Sequence, residues 1–222
     1  MRTLHHLWLS AHSRRVRLVL AEKRLDFVLK VEKVWERRPE FLAMNPTGEV
    51  PVLIDEGGLV VADATAICEY LDEAYPDPPL IMGTPRERAE IRRLIGWFDG
   101  KFAHEVADNL VGEKVMKRFL GLGEPSTEAI RAGLANLDIH LEYLNYLTAR
   151  RNWLAGPEFS LADLAAGAYL SAVDYLGNVP WDAHAGAREW YARLKSRPSF
   201  RPLLKDSIPG MPPAAHYADL DF

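Results

Sequence analysis

The residues able to do thiol, acid-base or metal chemistry are spread thinly along this chain. Cys68 is its one cysteine, and the spacing from Ala64 and Leu71 places it among packing positions of a helix, which favours an inert buried thiol. His5 and His6 are adjacent on a predicted strand and so point to opposite faces. Four further histidines are far apart in sequence: His104, His140, His184 and His216. The pattern predicts no metal site.

Polar residues gather where the first predicted strand gives way to the first helix. Ser10 has the position of a helix cap, a role that serine fills commonly. Arg14, Arg15 and Arg17 follow it on the helix. The sequence leaves two interpretations of these arginines open, attraction of an anionic ligand or a solvated basic surface.

Composition narrows the classes of partner. The 222 residues contain 27 Lys and Arg against 31 Asp and Glu, a formal charge of −4 that does not favour nucleic acid or anionic membrane. No window reaches transmembrane length, and the N-terminal residues lack the apolar run of a signal peptide. One cysteine also excludes an intrachain disulfide. We therefore expect a cytoplasmic protein without membrane insertion, whose partners are small molecules or proteins.

The first third of the chain predicts strands and helices in the order βαβ followed by ββα, which is thioredoxin-like. The turn residues Glu56-Gly57-Gly58 predict a hairpin between the last two strands. The predicted strands are Leu4–Leu9, Phe27–Val34, Val50–Ile54 and Leu59–Ala62, and the predicted helices begin near Ser13 and cover Arg37–Ala43 and Ala64–Tyr75.

Prolines between Pro76 and Pro85 predict a domain boundary, after which every periodic segment is helical. Ser160 and Asp163 have the spacing of a capping box at the start of a central helix. The other predicted helices cover 86–120, 126–148 and 190–195. We predict an α+β protein with a thioredoxin-like domain (1–77), an all-helical domain (86–204) and a proline-rich, acidic-aromatic tail (205–222).

Three stretches together resemble the glutathione-transferase family. They are Ser10–Arg17, Asn45–Leu53, and Trp153–Gly156 leading into Ser160–Asp163. The resemblance extends along nearly the whole chain and implies the glutathione-transferase fold.

The resemblance also implies a set of glutathione-binding residues. Val50-Pro51 matches the Val-Pro bond that is cis in the family and that turns the backbone toward the cysteinyl part of glutathione. Ser10 matches the serine whose hydroxyl stabilises the thiolate in serine-type members, although the residues alone favour a helix cap over a catalytic hydroxyl. His12 stands where cysteine-type members carry their nucleophile, which argues against thiol-reductase chemistry.

One position departs from the family pattern. Members that bind glutathione usually have an acidic residue and then a serine that together hold the γ-glutamyl end, whereas this chain has Asp63 followed by Ala64. The lost hydrogen bond to a charged carboxylate is worth about 1.5–3 kcal/mol, which favours a weak or absent glutathione site without excluding glutathione as a ligand.

Within the family, the chain is similar to members that bind filaments of the tubulin homologue FtsZ in bacterial cell division. The similar segments are Leu4–His6, Val34–Phe41, Val173–Gly177 and Ala215–Phe222. This similarity implies a largely non-catalytic homodimeric adaptor that acts at the division site and requires no cofactor. The alternative is a serine-type glutathione-dependent transferase or isomerase acting on a small electrophile, with glutathione as co-substrate.

Two segments have the composition of protein-binding surfaces. Trp35, Arg37 and Arg38 combine the residue types that dominate hot spots, but a tryptophan packed beneath a helix fits equally well. In the tail, apolar side chains alternate with acids, which suits either a docking peptide or an arm folded back on its own domain. The tail residues concerned are Tyr217, Asp219, Leu220, Asp221 and Phe222.

Overall fold

The computed structural model describes residues 1–220 and 222, which form a mixed sheet followed by a bundle of helices. The strands are β1 (Arg2–His6), β2 (Phe27–Val31), β3 (Val52–Ile54) and β4 (Val60–Ala62). The helices of the first half are α1 (Ala11–Glu22), α2 (Pro39–Met44) and α3 (Ala64–Ala74). The second half contains α4 (Pro85–Gly96), a π-helical segment (Trp97–Met116), α5 (Lys117–Leu120), α6 (Thr127–Thr148), α7 (Leu161–Tyr175), α8 (Ala185–Lys195) and α9 (Arg201–Leu204).

The sheet has the strand order β2-β1-β3-β4. β1 pairs in parallel with β2 and antiparallel with β3, and β3 pairs antiparallel with β4 through the predicted Glu56–Gly58 turn. A parallel pair needs a crossover, which α1 provides. The α+β class and the thioredoxin-like order are confirmed.

The helical half packs directly against the sheet half. α1 lies against α7, whose residues are all buried, as expected for a central helix rich in small side chains. Gly167 of α7 lies so close to Leu194 of α8 that a Cβ atom would be 2.2 Å from a Leu194 methyl carbon. Buried apolar residues from both halves form one continuous core.

Cap chemistry fixes where the main helices begin. Ser160 and Asp163 form the expected capping box at α7, and Thr84 and Glu87 form a second one at α4. α4, the π-helical segment and α5 run on without a break from Pro85 to Leu120. Among residues 1–220 and 222, no helix is long and apolar enough to cross a membrane.

Several element boundaries differ from the sequence-based prediction; β2, for example, ends at Val31 rather than Val34, because residues 34–36 form a short 3₁₀ turn. β1 ends at His6 rather than Leu9, because the chain then turns, with the Ser10 N–H donating to the carbonyl oxygen of Leu7. α1 consequently begins at Ala11, two residues earlier than expected. α8 begins at Ala185 rather than Trp190, in a segment whose small residues carry little apolar periodicity.

Candidate functional site

A cavity of about 840 Å³ lies where the loops after β1 and β2 face the helical half. Its walls are mainly apolar, and polar groups are few, which is the usual make-up of a small-molecule site. The lining residues include Trp8, Ser10, His12, Val50, Trp35, Ala107, Phe119, Tyr169, Ile208 and Pro209.

Ser10 is both a helix cap and part of the cavity wall. Its Oγ accepts a hydrogen bond of 3.2 Å from the Ser13 N–H at the start of α1. Among residues 1–220 and 222, the hydroxyl hydrogen has no acceptor, and the side chain lines the cavity. The two roles predicted for Ser10 are therefore geometrically compatible, because capping uses an oxygen lone pair and a bound thiolate would use the hydroxyl hydrogen.

A charged network lies beneath His12 at the edge of the cavity. His12 Nε2 is 2.9 Å from the Tyr169 hydroxyl and 3.4 Å from Asp99 Oδ1. The buried Arg15 guanidinium donates to both Asp99 oxygens, at 3.0 and 2.8 Å, and to the Thr65 hydroxyl at 3.2 Å. Burial acts to raise the pKa of Asp99, but the hydrogen bond from His12 and the charge of Arg15 hold that pKa below its ordinary value. Asp99 is thus an anion that fixes His12 in place.

The expected glutathione-binding residues do not all line the cavity. The Val50–Pro51 bond is cis, with Val50 on the cavity and Pro51 buried behind it. Asp63 and Ala64 lie at the start of α3, outside the cavity lining. The Asp63 carboxylate accepts hydrogen bonds from the N–H groups of Thr65 (2.7 Å) and Ala66 (3.2 Å). Two donors that an anionic ligand could have used at this helix end are thereby occupied.

Trp35 bridges the two halves at the mouth of the cavity. Its ring stacks on that of Phe119 in α5, with centroids 5.8 Å apart and an interplanar angle of 4°. Arg37 is exposed, and the structure gives it no carboxylate partner among the described residues. Arg38 instead donates to the buried Glu32, with Nε 3.0 Å from Oε1, and so belongs to the fold. Arg37 is thus exposed, whereas Trp35 is half-buried with its ring stacked on Phe119.

The tail is folded back on the helical half. Tyr217 is 0% exposed, accepts a 3.0 Å hydrogen bond from Arg14 and donates to the Leu203 carbonyl at 3.2 Å. The expectation that Tyr217 is a contact residue is therefore corrected, because its side chain is in the core. Phe222 and Leu220 are half-buried, and Asp219 is exposed. Asp221 lies outside the described residues.

Neither interpretation of the helix α1 arginines is right. Arg14 and Arg17 are buried and bind Asp206, Arg17 through two contacts of 2.8 Å and Arg14 through one of 3.4 Å. Arg15 is buried against Asp99. The sequence pattern could not indicate these ion pairs, because the acidic partners of the arginines are 84 to 192 residues away along the chain.

The N-terminal domain family of glutathione S-transferases matches residues 9–74. FtsZ-localized protein A of Caulobacter vibrioides (strain NA1000 / CB15N) is 50% identical over 224 residues, which cover 100% of this chain and 98% of that protein. Glutathione S-transferase 2 of Saccharomyces cerevisiae is 35% identical over 204 residues, 86% of this chain and 84% of that protein. The chain belongs to the glutathione S-transferase superfamily.

Solved structures support the same assignment. A glutathione S-transferase from Rhodospirillum rubrum F11 has a TM-score of 0.98 and 54% identity, with complete coverage of both chains. FzlA from C. crescentus has a TM-score of 0.97 and 50% identity, covering 100% of this chain and 99% of that chain. The predicted family and the predicted resemblance to FtsZ-associated members are thus confirmed, and the glutathione-transferase fold is confirmed over the whole chain.

Proposed function

We propose that this chain associates with FtsZ filaments as a largely non-catalytic, homodimeric adaptor at the division site in the cytoplasm. The observation that carries the proposal is its 50% identity, over its whole length, to a protein known as FtsZ-localized protein A. Fold alone would not carry it, since one fold serves many functions.

The start of α3 supports a non-catalytic role. Ala64 offers no hydroxyl, and the Asp63 carboxylate already occupies the Thr65 and Ala66 amides. A glutathione carboxylate would meet a nearby negative charge there instead of a full set of donors, so binding should be weak.

Trp35 and Arg37 are the residues best suited to contact FtsZ. Both lie in the loop between β2 and α2, next to the mouth of the cavity, and Trp and Arg dominate protein hot spots. Arg38 is less suited, because its guanidinium is committed to Glu32.

The proposal is tested by co-sedimentation with GTP-assembled FtsZ at moderate salt and without glutathione. The wild-type chain should pellet with the filaments, and Arg37→Glu should lower the pelleted fraction at least threefold. Arg131→Glu makes the same charge reversal at an exposed position of α6 and should pellet like wild type. Absence of the wild-type chain from the pellet would refute the proposal.

The second candidate is a serine-type glutathione-dependent transferase or isomerase. The Ser10 hydroxyl on an apolar cavity, next to the cis Val50–Pro51 bond, favours it. In that case the pKa of the glutathione thiol falls on binding, measured by thiolate absorbance, and Ser10→Ala abolishes the fall. An unchanged turnover rate in Ser10→Ala would eliminate this candidate.

A further inference from the structure

Strand β2 leaves its outer edge open. It stands at one end of the order β2-β1-β3-β4, so that within residues 1–220 and 222 only β1 pairs with it. Successive residues of a strand direct their backbone groups to opposite sides, and the Glu32 N–H points to β1, where it donates to the His6 carbonyl oxygen at 3.0 Å. Three residues of β2 therefore direct both N–H and C=O away from β1: Phe27, Leu29 and Val31.

Apolar side chains flank this open edge. Val28, Leu29 and Val31 are 44%, 37% and 45% exposed, although they belong to a strand of the sheet. Lys30 is the one charged residue of this strand, which contains no proline. Natural sheets usually protect an edge with charges, proline, a bulge or a covering element, because an unprotected edge pairs with other chains. β2 has little of that protection and is therefore suited to strand pairing.

The strand fits a reversed copy of itself. In an antiparallel pair related by a two-fold axis at Leu29, each Leu29 faces the other, and the two exchange both of their outward hydrogen bonds. Phe27 faces Val31 of the other copy and exchanges hydrogen bonds in the same way. Every outward backbone group of the strand then has a partner. The side chains of these positions share one face, so the pairing also brings apolar side chains of both copies together.

The charges in and beside the strand fit the same register. Lys30 faces Val28 of the other copy and not a second lysine. Asp26 is exposed directly before β2 and lies diagonally across from Lys30 of the other copy, a position from which opposite charges attract. Glu32 of the other copy faces Asp26, but its charge is offset by Arg38, whose Nε is 3.0 Å from Oε1. A second copy thus matches this edge in backbone, side chains and charge.

We propose that a second copy of this chain pairs with β2, antiparallel about a two-fold axis at Leu29, and joins two four-stranded sheets into one continuous sheet. The pairing removes Leu29 and Val28 from water and satisfies the open backbone groups. The inference rests on the homodimer of the proposed function, for which it names the surface where the copies meet. It does not depend on FtsZ binding.

Disulfide trapping tests the register. Leu29→Cys places two thiols opposite each other, with Cα atoms about 5.5 Å apart, which a disulfide bridges. Val31→Cys is the matched control, because it is exposed on the same face, yet its two copies are offset by about 13 Å along the strands and are out of reach. The native Cys68 is buried and does not compete. We expect mild oxidation to link Leu29→Cys at least tenfold faster than Val31→Cys, measured on non-reducing gels.

Charge substitutions at the axis provide a second measurement. Leu29→Lys and Leu29→Glu each place like charges opposite each other, so each variant alone should associate at least fivefold more weakly than wild type in sedimentation equilibrium. An equimolar mixture should regain association, because lysine then faces glutamate. This rescue also shows that both variants are folded.

Three outcomes would overturn the proposal. A wild-type chain that sediments only as a monomer removes both this contact and the homodimer. A wild-type dimer in which the two cysteine variants are linked at equal rates leaves the homodimer standing but refutes β2 as its surface. Charge variants that associate like wild type refute β2 as well.

Discussion

At the scale of single residues, Asp206 is a buried carboxylate that pairs with two buried arginines. It is 6% exposed and is bound by both Arg14 and Arg17. Asp206→Asn leaves two buried guanidinium groups short of their anion, and breaking such a pair costs about 3–5 kcal/mol. Urea denaturation should show this loss of unfolding free energy. Asp182→Asn, at a fully exposed carboxylate 3.3 Å from Arg188, should leave the urea midpoint unchanged.

His6 is a buried residue whose two ring nitrogens have no hydrogen-bond partner within the described part of the chain. Burial, aided by the charge of Arg17, lowers its pKa from 6.5 to about 3. The unfolded chain therefore takes up a proton below pH 6.5 that the folded chain refuses until pH 3. As the pH is lowered from 6.5 to 3, the free energy of unfolding should therefore decrease, by up to about 1.4 kcal/mol per pH unit from this group.

His6→Phe removes that titration while keeping an aromatic ring against Trp8, whose ring centroid is 4.6 Å from that of His6. We expect the stability of the variant relative to wild type to rise steadily from pH 7 to pH 5 in urea titrations. His104→Gln, at an exposed histidine, should follow the wild-type pH profile. A constant difference between His6→Phe and wild type would contradict the prediction.

Sequence reasoning was weakest at this scale. It could see Arg14, Arg15 and Arg17 on one helix, but it could not see Asp99 and Asp206, which reach them only through tertiary packing. Ser10 was placed correctly at a helix start because capping is local, and local chemistry is what a sequence displays.

At the scale of elements, we expect the start of α3 to limit any binding of glutathione. Ala64→Ser restores the hydroxyl of the family pattern at a helix N-terminus. The new hydrogen bond to a carboxylate should raise glutathione affinity about tenfold, measured by isothermal titration calorimetry. Ala62→Ser on β4 adds a hydroxyl outside this helix end and should change nothing. No gain in Ala64→Ser would show that position 64 does not limit binding.

Element boundaries were predictable where caps or turns mark them and not elsewhere. The turn at Glu56–Gly58 and the start of α7 after Ser160 are both predicted correctly. Glycine at positive φ and a capping box each require specific residue types, which the sequence displays. The end of β1 was misplaced, because the apolar run through Leu9 continues after the strand has ended and serves the cavity wall instead.

At the scale of the whole molecule, the division into 1–77 and 86–204 remains a prediction about the chain, while the core is continuous across both parts. α1 packs on α7, and Arg14 joins α1 to Ser171 of α7 at 2.8 Å. We therefore expect a single cooperative unfolding transition, with tryptophan fluorescence and far-ultraviolet circular dichroism giving coincident urea curves. Two separated transitions would mean that the halves unfold independently.

The lone cysteine has a practical consequence for spectroscopy. Cys68 is fully buried, and burial raises the pKa of its thiol to about 12, so it is nearly all protonated and out of reach of maleimide reagents near neutral pH. A second cysteine introduced at any exposed site can thus be labelled selectively in the otherwise native sequence. Two such cysteines, one on the tail (205–222) and one on α6, would carry paired dyes or spin labels that report distances in the intact protein.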